Sequence, residues 1–404
     1  MDFVVYGDRW GELPTSATHL FRHVAALGHR VFWVNTVGRM PRMAVNDIRK
    51  AARVVRDTFL PGKRDTQPAT SVTGDLARDA DESAESAGDA AASSIIVQTA
   101  PMIPHFSFVP RQINRQLLGR FHRKLVDHYG LRDEILVSPF PYVADLFKDV
   151  PARTLYFCYD EWSAYPGVDT KRWMRMEGEM IAAVDGFFAT DLRLMEKCRI
   201  NCPCLYCPQG VEFEHFAKSQ LDVPEILRSV SRPVIGFFGL LSEWVDVELI
   251  AAAAERFPES SIVLIGRAIP AACERLQSLT NIVWTGQVTY EQLPGYAQVF
   301  DVGIIPFQIS DLTRAVNPLK LLEYYALGCP VVSTGMQSVV EVGGPVLVGN
   351  TSEEFTDAID AWLNQPREEI AQQARQHAQS NSWTARAQSL IEFIDKVPFQ
   401  QESM

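Results

Sequence analysis

The sequence predicts an α/β protein made of two doubly wound, Rossmann-like parallel-sheet domains, on three observations. Short β-branched apolar runs alternate with helical patterns along both halves of the chain, as parallel strands covered by helices on both faces require. At 404 residues the chain exceeds the usual size of one domain, so two are expected. Its 47% hydrophobic and 22% charged residues are the composition of a globular protein.

Taken in order, the first half supplies "FVVYG", a helix over 15–27 closed by Gly28, then "RVFWVN", "SIIVQT", "EILVSP", "RTLYFCY" and "GFFAT". The second half supplies "PVIGFFG", the helical "DVELIAAAAERF", "SIVLIG", "NIVWTG", the helical "YAQVF", "DVGIIPF", "PVVST" and "PVLVG". The halves are expected to meet near "CPQGVEFEHF". That assigns 1–210 to an N-terminal domain, 211–380 to a C-terminal domain, and 381–404 to a helix packing back toward the first. Open α/β sheets bind ligands at the carboxyl ends of their strands. A two-domain version places the site in the central cleft between them.

Residues 65–94 are rich in Asp, Ser, Ala and Gly, too poor in large apolar groups to order themselves, and are expected to form a disordered insertion. No run of 18 apolar residues exists, so no transmembrane span is expected. The start, "MDFVVYGDRWGELP", lacks the basic region of a signal peptide. Seven cysteines, an odd count, suggest reduced thiols and a cytoplasmic protein. The net charge of −11 argues against a nucleic-acid binder. Yet eight basic residues lie between Arg39 and Arg64 against Asp47 and Asp57, and a second basic stretch runs from Arg111 to Arg132. Such segments either dock on anionic lipid headgroups or are plain solvated faces. The first would make the protein peripheral on the inner face of the cell membrane.

The stretch "NPLKLLEYYALGCPVVST", residues 317–334, carries the chemistry. Asn317 suits a helix N-cap and Pro318 the first helical position, with Gly328 and Pro330 ending the helix. Asn317, Lys320 and Glu323 then fall at i, i+3 and i+6 on one stripe, while Leu319, Leu322 and Tyr325 or Ala326 can face the sheets. The helix N-terminus, Lys320 and the nearby Arg314 favour a phosphate. One turn deeper, Glu323 can accept hydrogen bonds from a vicinal diol, as an acidic residue does for ribose. The plainer alternative is an exposed Lys–Glu pair.

Together with "GNTSEEFTDAIDAWL" and "NSWTARAQSLIEFI", this stretch resembles the donor-binding half of GT-B glycosyltransferases, in particular family 4 and the bacterial teichuronic-acid-type enzymes. "PQGVEFEHFA" is similar to the family's interdomain turn, and "YDEWSAYPG" and "YGDRWGELPTSATHLFRHVA" to its N-domain segments. The resemblance covers nearly the whole chain outside the insertion. It implies a nucleotide-diphosphate sugar, such as a UDP-sugar, held by the second domain without a metal or other cofactor, and an acceptor held by the first. Glu323 matches the ribose-binding glutamate; Asn317, Lys320, Thr313 and Arg314 would lie by the diphosphate. Two departures stand out. Ala315 replaces the family's paired glutamate, and Leu240 replaces an Arg of the phosphate-binding loop, whose usual Lys is Trp244 or Val245 here. Arg267 and Lys320 are the candidate substitutes. Gly239, in "GFFG", would let backbone approach the donor.

On the acceptor side, Asp160 and Glu161 follow a strand and can act as general base on a hydroxyl. With retention of configuration, Asp160 would position the acceptor instead. As an alternative to any such role, they are loop carboxylates that cap or pair. Asp8, Arg9 and Trp10 follow the first strand as acceptor contacts. His19 matches a His of relatives, or is a structural helix residue. Cys198, Cys202, Cys204 and Cys207 invite zinc, but their spacing is not a standard one and no His lies among them; buried thiols are the expectation, and no metal site. The expected function is a retaining transferase building a cell-surface glycan or lipid-linked saccharide. The alternatives are a nucleotide-sugar epimerase of this architecture and a degenerate scaffold or activating subunit.

Overall fold

A computed structural model describes residues 1–11, 15–36, 95–103, 108–165, 167–198, 202–218, 221–314 and 316–397. The expected insertion 65–94, the basic segment 39–64 and Ala315 lie outside the described residues. The chain divides into two compact units, Met1–Cys207 with Ala387–Met404, and Pro208–Arg386.

The first unit begins β1 (Asp2–Gly7), α1 (Ser16–Ala26), β2 (Arg30–Asn35), β3 (Ile95–Thr99), α2 (Phe108–Tyr129) and β4 (Glu134–Ser138). It continues with α3 (Ala144–Asp149), β5 (Arg153–Cys158), α4 (Thr170–Ile181), β6 (Gly186–Ala189), α5 (Leu192–Met195) and β7 (Cys204–Tyr206). Its seven strands pair in the order β3-β2-β1-β4-β5-β6-β7, all parallel. β1 is buried along its whole length, because helices cover both faces and the apolar run never alternates with polar residues. Thr15 caps α1 in a reciprocal capping box with Thr18.

The second unit runs α6 (Phe213–Phe216), β8 (Val234–Phe238), α7 (Val247–Arg256), β9 (Ser261–Ile265), α8 (Pro270–Leu276), β10 (Ile282–Gly286) and α9 (Leu293–Ala297). There follow β11 (Val302–Ile305), α10 (Asp311–Arg314), α11 (Leu319–Ala326), β12 (Val331–Ser333), α12 (Gln337–Val342), β13 (Val346–Val348), α13 (Ser352–Leu363) and α14 (Arg367–Ser380). The last helix, α15 (Trp383–Ile394), carries the chain out of this unit and back into the first. The six strands pair in the order β10-β9-β8-β11-β12-β13, again all parallel. Strand order reverses between β8 and β11, the switch point where a doubly wound sheet opens a crevice.

Two sequence expectations are corrected. The helix expected from Asn317 starts at Leu319, with Pro318 as its cap residue and no side-chain capping bond. Asn317 turns inward instead, 5% exposed, with its Nδ2 lacking a hydrogen-bond partner. The cysteines were expected to be reduced and buried, yet Cys198 and Cys204 form a disulfide, and Cys204 is exposed. Of the cluster, only Cys207 is buried. The three-residue strand β7 lies at the edge of its sheet and leaves Cys204 uncovered.

Candidate functional site

In the second unit the site forms at the switch point. Tyr324 anchors it: fully buried, its hydroxyl accepts from Phe238 N–H at 3.3 Å and donates to the Ile304 carbonyl at 3.2 Å. α11 is thereby tied to both β8 and β11. Its neighbours Lys320 and Glu323 are then fixed at the carboxyl ends of those strands. Lys320 is half-buried, and its Nζ stands 4.5 Å from the centre of the Phe237 ring and 4.6 Å from that of Phe307. Two ring faces on one ammonium are a favourable cation–π setting. Burial pulls its pKa down to about 8 even though Glu323 opposes this. Glu323 is 5% exposed; burial pushes its pKa up to about 8, against the Lys320 charge and with a further push from Glu212. Among the described residues neither side chain closes an ion pair.

Gly239 makes room for this ammonium. A Cβ there would lie 3.0 Å from Lys320 Nζ, and its φ of +130° suits glycine. Its N–H donates to the Ile265 carbonyl at 2.8 Å. Opposite stands Gly266, with φ +135°, where a Cβ would meet the Gly239 carbonyl oxygen at 2.0 Å. Arg267 follows, exposed, its carbonyl accepting from Leu241 N–H at 2.9 Å. Leu240 is 41% exposed. Thr313 is buried and its hydroxyl is used within the loop, donating to the Gln308 carbonyl and accepting from Ser310 N–H at 2.9 Å. Arg314 is half-exposed, 3.7 Å from Asp311. The structure thus gathers Lys320, Glu323 and Gly239, and commits Thr313 to its own turn.

In the first unit, Asp160 accepts from Glu161 N–H at 2.9 Å and from the Tyr165 hydroxyl at 2.5 Å. Glu161 accepts from Ser163 at 2.5 Å and pairs with Lys197 at 2.9 Å. Lys197 also reaches Glu177 at 3.0 Å, which accepts from Tyr156 at 2.8 Å. Burial lowers the Lys197 pKa, but Cys158, Glu177 and Glu161 outweigh it, so it stands above the ordinary lysine value. Asp8 adjoins this group, 3.5 Å from the Tyr159 hydroxyl. Trp10 packs edge-on to Trp33 with Arg22 above its ring, and Arg9 is exposed. His19 is buried in α1, 1% exposed. Among the described residues no three potential metal ligands converge.

Sequence reasoning missed Phe237, Phe307, Tyr324 and Glu212. The signal for the rings was present only in part: "GFFG" places its two Phe residues on opposite faces of a strand, but which face meets Lys320 depends on the sheet order.

Residues 232–365 match the family model described as glycosyl transferases group 1. Over 193 residues, 46% of this chain and 49% of the relative, the sequence is 29% identical to a putative teichuronic acid biosynthesis glycosyltransferase of Bacillus subtilis. Over 209 residues, 46% of this chain and 47% of the relative, it is 27% identical to D-inositol 3-phosphate glycosyltransferase of Corynebacterium urealyticum. The chain spans about half the length of the curated relatives it matches. The Anabaena protein HepE, solved with UDP and glucose, aligns with a TM-score of 0.63 at 13% identity over 98% of this chain and 99% of its own. Sucrose-phosphate synthase from Thermosynechococcus elongatus aligns at 0.64 and 15%, over 98% of each chain. The fold is that of GT-B glycosyltransferases, and the resemblance read from the sequence is borne out.

Proposed function

We propose that the chain is a glycosyltransferase that takes a sugar from a nucleotide-diphosphate donor held by the second unit. One observation carries this reading: at the strand switch point an ammonium without a paired acid stands one turn before a buried carboxylate. Lys320 meets the diphosphate and Glu323 the ribose diol, while Gly239 leaves the backbone open to the ligand and Asn317 offers its unpartnered Nδ2. Arg267 lies exposed in the loop after β9, and Arg314 lies exposed at the end of α10. The charge that develops on the leaving diphosphate is met by these fixed groups, without a resident metal. The solved neighbour holding UDP supports uracil as the base of the donor nucleotide.

The acceptor side is the first unit, and the acceptor a glycan or lipid-linked saccharide. Both carboxylate oxygens of Asp160 already accept hydrogen bonds, which favours a positioning role over proton abstraction and, with it, retention of configuration. α2 carries much of the basic stretch 111–132 together with the exposed Val109 and Ile113, a combination suited to an anionic membrane surface.

Calorimetric titration with a panel of nucleotide sugars tests the reading. A UDP-sugar should bind with micromolar to millimolar affinity, and the anomer of the product should match the donor. No binding by any nucleotide sugar would sink the proposal.

A further inference from the structure

A cleft of about 680 Å³ opens within the first unit, bordered by the start of α2, the turn Pro141–Val143, α3 and α4. Four cations line it: Arg111, Lys171, Arg172 and Arg175. Three carboxylates do so as well, and all three are engaged. Arg111 grips Asp145 through both oxygens, at 2.5 and 2.7 Å, and reaches Glu179 at 2.6 Å. Asp169 caps α4, accepting from the Arg172 backbone N–H at 3.1 Å. Among the described residues Lys171, Arg172 and Arg175 close no ion pair. Against the four cations stand three carboxylates, which leaves a net charge of +1; Lys171, Arg172 and Arg175 lie together on the first turns of α4, and an anion relieves their mutual repulsion.

The cleft is far larger than an inorganic anion needs and falls in the range of small-molecule sites. One wall is apolar: Met176 and Tyr142, whose ring stacks on Phe140 at 5.3 Å. Arg172 and Arg175 stand one turn apart on α4, so both can address a single phosphate, as guanidinium groups do through paired donors. We infer that this cleft binds a phosphorylated saccharide, its phosphate held by Lys171, Arg172 and Arg175 and its ring against Tyr142. Naming that ligand the acceptor rests on the transferase reading; the anion site does not.

The whole protein is titrated calorimetrically with glucose 1-phosphate, glucose, inorganic phosphate, and a lipid-linked sugar diphosphate in neutral detergent micelles. Glucose 1-phosphate should bind at least about tenfold more tightly than either glucose or phosphate. The double variant Arg172→Gln/Arg175→Gln should lose about tenfold or more of that affinity while keeping its UDP binding, and lysine at both positions should restore part of it. If the double variant loses its fold, the single variants are read by the same titration. Tighter binding of the lipid-linked ligand identifies a membrane source; equal binding identifies a soluble sugar phosphate. Both support the site. Equal affinity for glucose and its phosphate, or variants that bind as the parent does, would overturn it. Sugar-phosphate binding in a protein that binds no nucleotide sugar removes the transferase reading and leaves this one standing.

Discussion

Lys320 and Glu323 carry opposite charges one turn apart, and each is pushed toward neutrality by burial. The signs matter. Glu323, raised to about 8, keeps in the folded protein a proton that the unfolded chain releases above its ordinary value of 4.5. Its contribution to stability is therefore full below that value and is lost as pH rises toward 8. Lys320, lowered to about 8 from 10.5, does the reverse, and stability returns as pH rises between those values. The pair thus sets a stability minimum near pH 8. In Glu323→Gln the fall between pH 5 and 8 should disappear, read as melting temperature against pH; an unchanged profile would remove the carboxyl from this role. Glu323→Ala should weaken donor binding by up to about tenfold (about 0.5–1.5 kcal/mol for a hydrogen bond to a group that burial holds largely neutral) with little loss of fold, measured by titration beside a urea melt. A donor diphosphate favours protonated Lys320, so affinity should decline above pH 8. The spacing of these residues was legible in the sequence, because i and i+3 on a helix are neighbours whatever surrounds them. Their burial was not. Phe237, on β8, and Phe307, in the segment just after β11, reach Lys320 from places distant in sequence, and only the sheet order brings those rings together.

Among elements, the strands were the most legible, since a fully buried parallel strand reads as a short run with almost no polar residue, as in β8, β9 and β11. The start of α11 was less so. Asn is a preferred cap, but here Asn317 is buried and Pro318 takes the boundary, because the chain entering from α10 packs Asn317 inward. The disulfide was missed for a related reason: cysteine spacing says nothing about which sulfurs an edge strand brings together. The loops after β8 and β9 rest on two glycines in backbone conformations that other residues avoid. Gly266→Ala combines a disfavoured φ with a collision against the Gly239 carbonyl, so the loops must separate. The expected cost is of the order of 1–3 kcal/mol, visible as a lower urea midpoint, together with loss of nucleotide binding. An alanine variant with parental stability and binding would show that the two loops are not locked.

At the scale of the molecule, the first unit is discontinuous: the chain leaves it at Cys207 and returns at Ala387. The returning segment is structural. Ala387, Leu390 and Ile394 are buried, and Phe393 covers Gly186 on β6, where a Cβ would meet its ring at 3.3 Å. Truncation after Arg386 should therefore loosen the first unit while the second keeps its nucleotide binding. Hydrogen exchange should show faster loss of protection in β5 and β6 than in β8 and β9, and equal loss in both would refute the assignment. The alternation of strands and helices announced two sheets, and 381–404 was expected to pack back toward the first domain, but nothing in the sequence says which strand it covers.

That arrangement has a consequence in time. At roughly 5–20 residues per second, on the order of ten to forty seconds pass between synthesis of Cys207 and that of Ala387. Throughout that interval the nascent first unit has an uncovered β6 and an incomplete apolar layer, whereas the second unit has all of its own strands before the wait ends. A chaperone that holds exposed apolar surface should find its target in the early half of the nascent chain, and a ribosome stalled before Ala387 should yield a folded second unit tethered to an unfinished first.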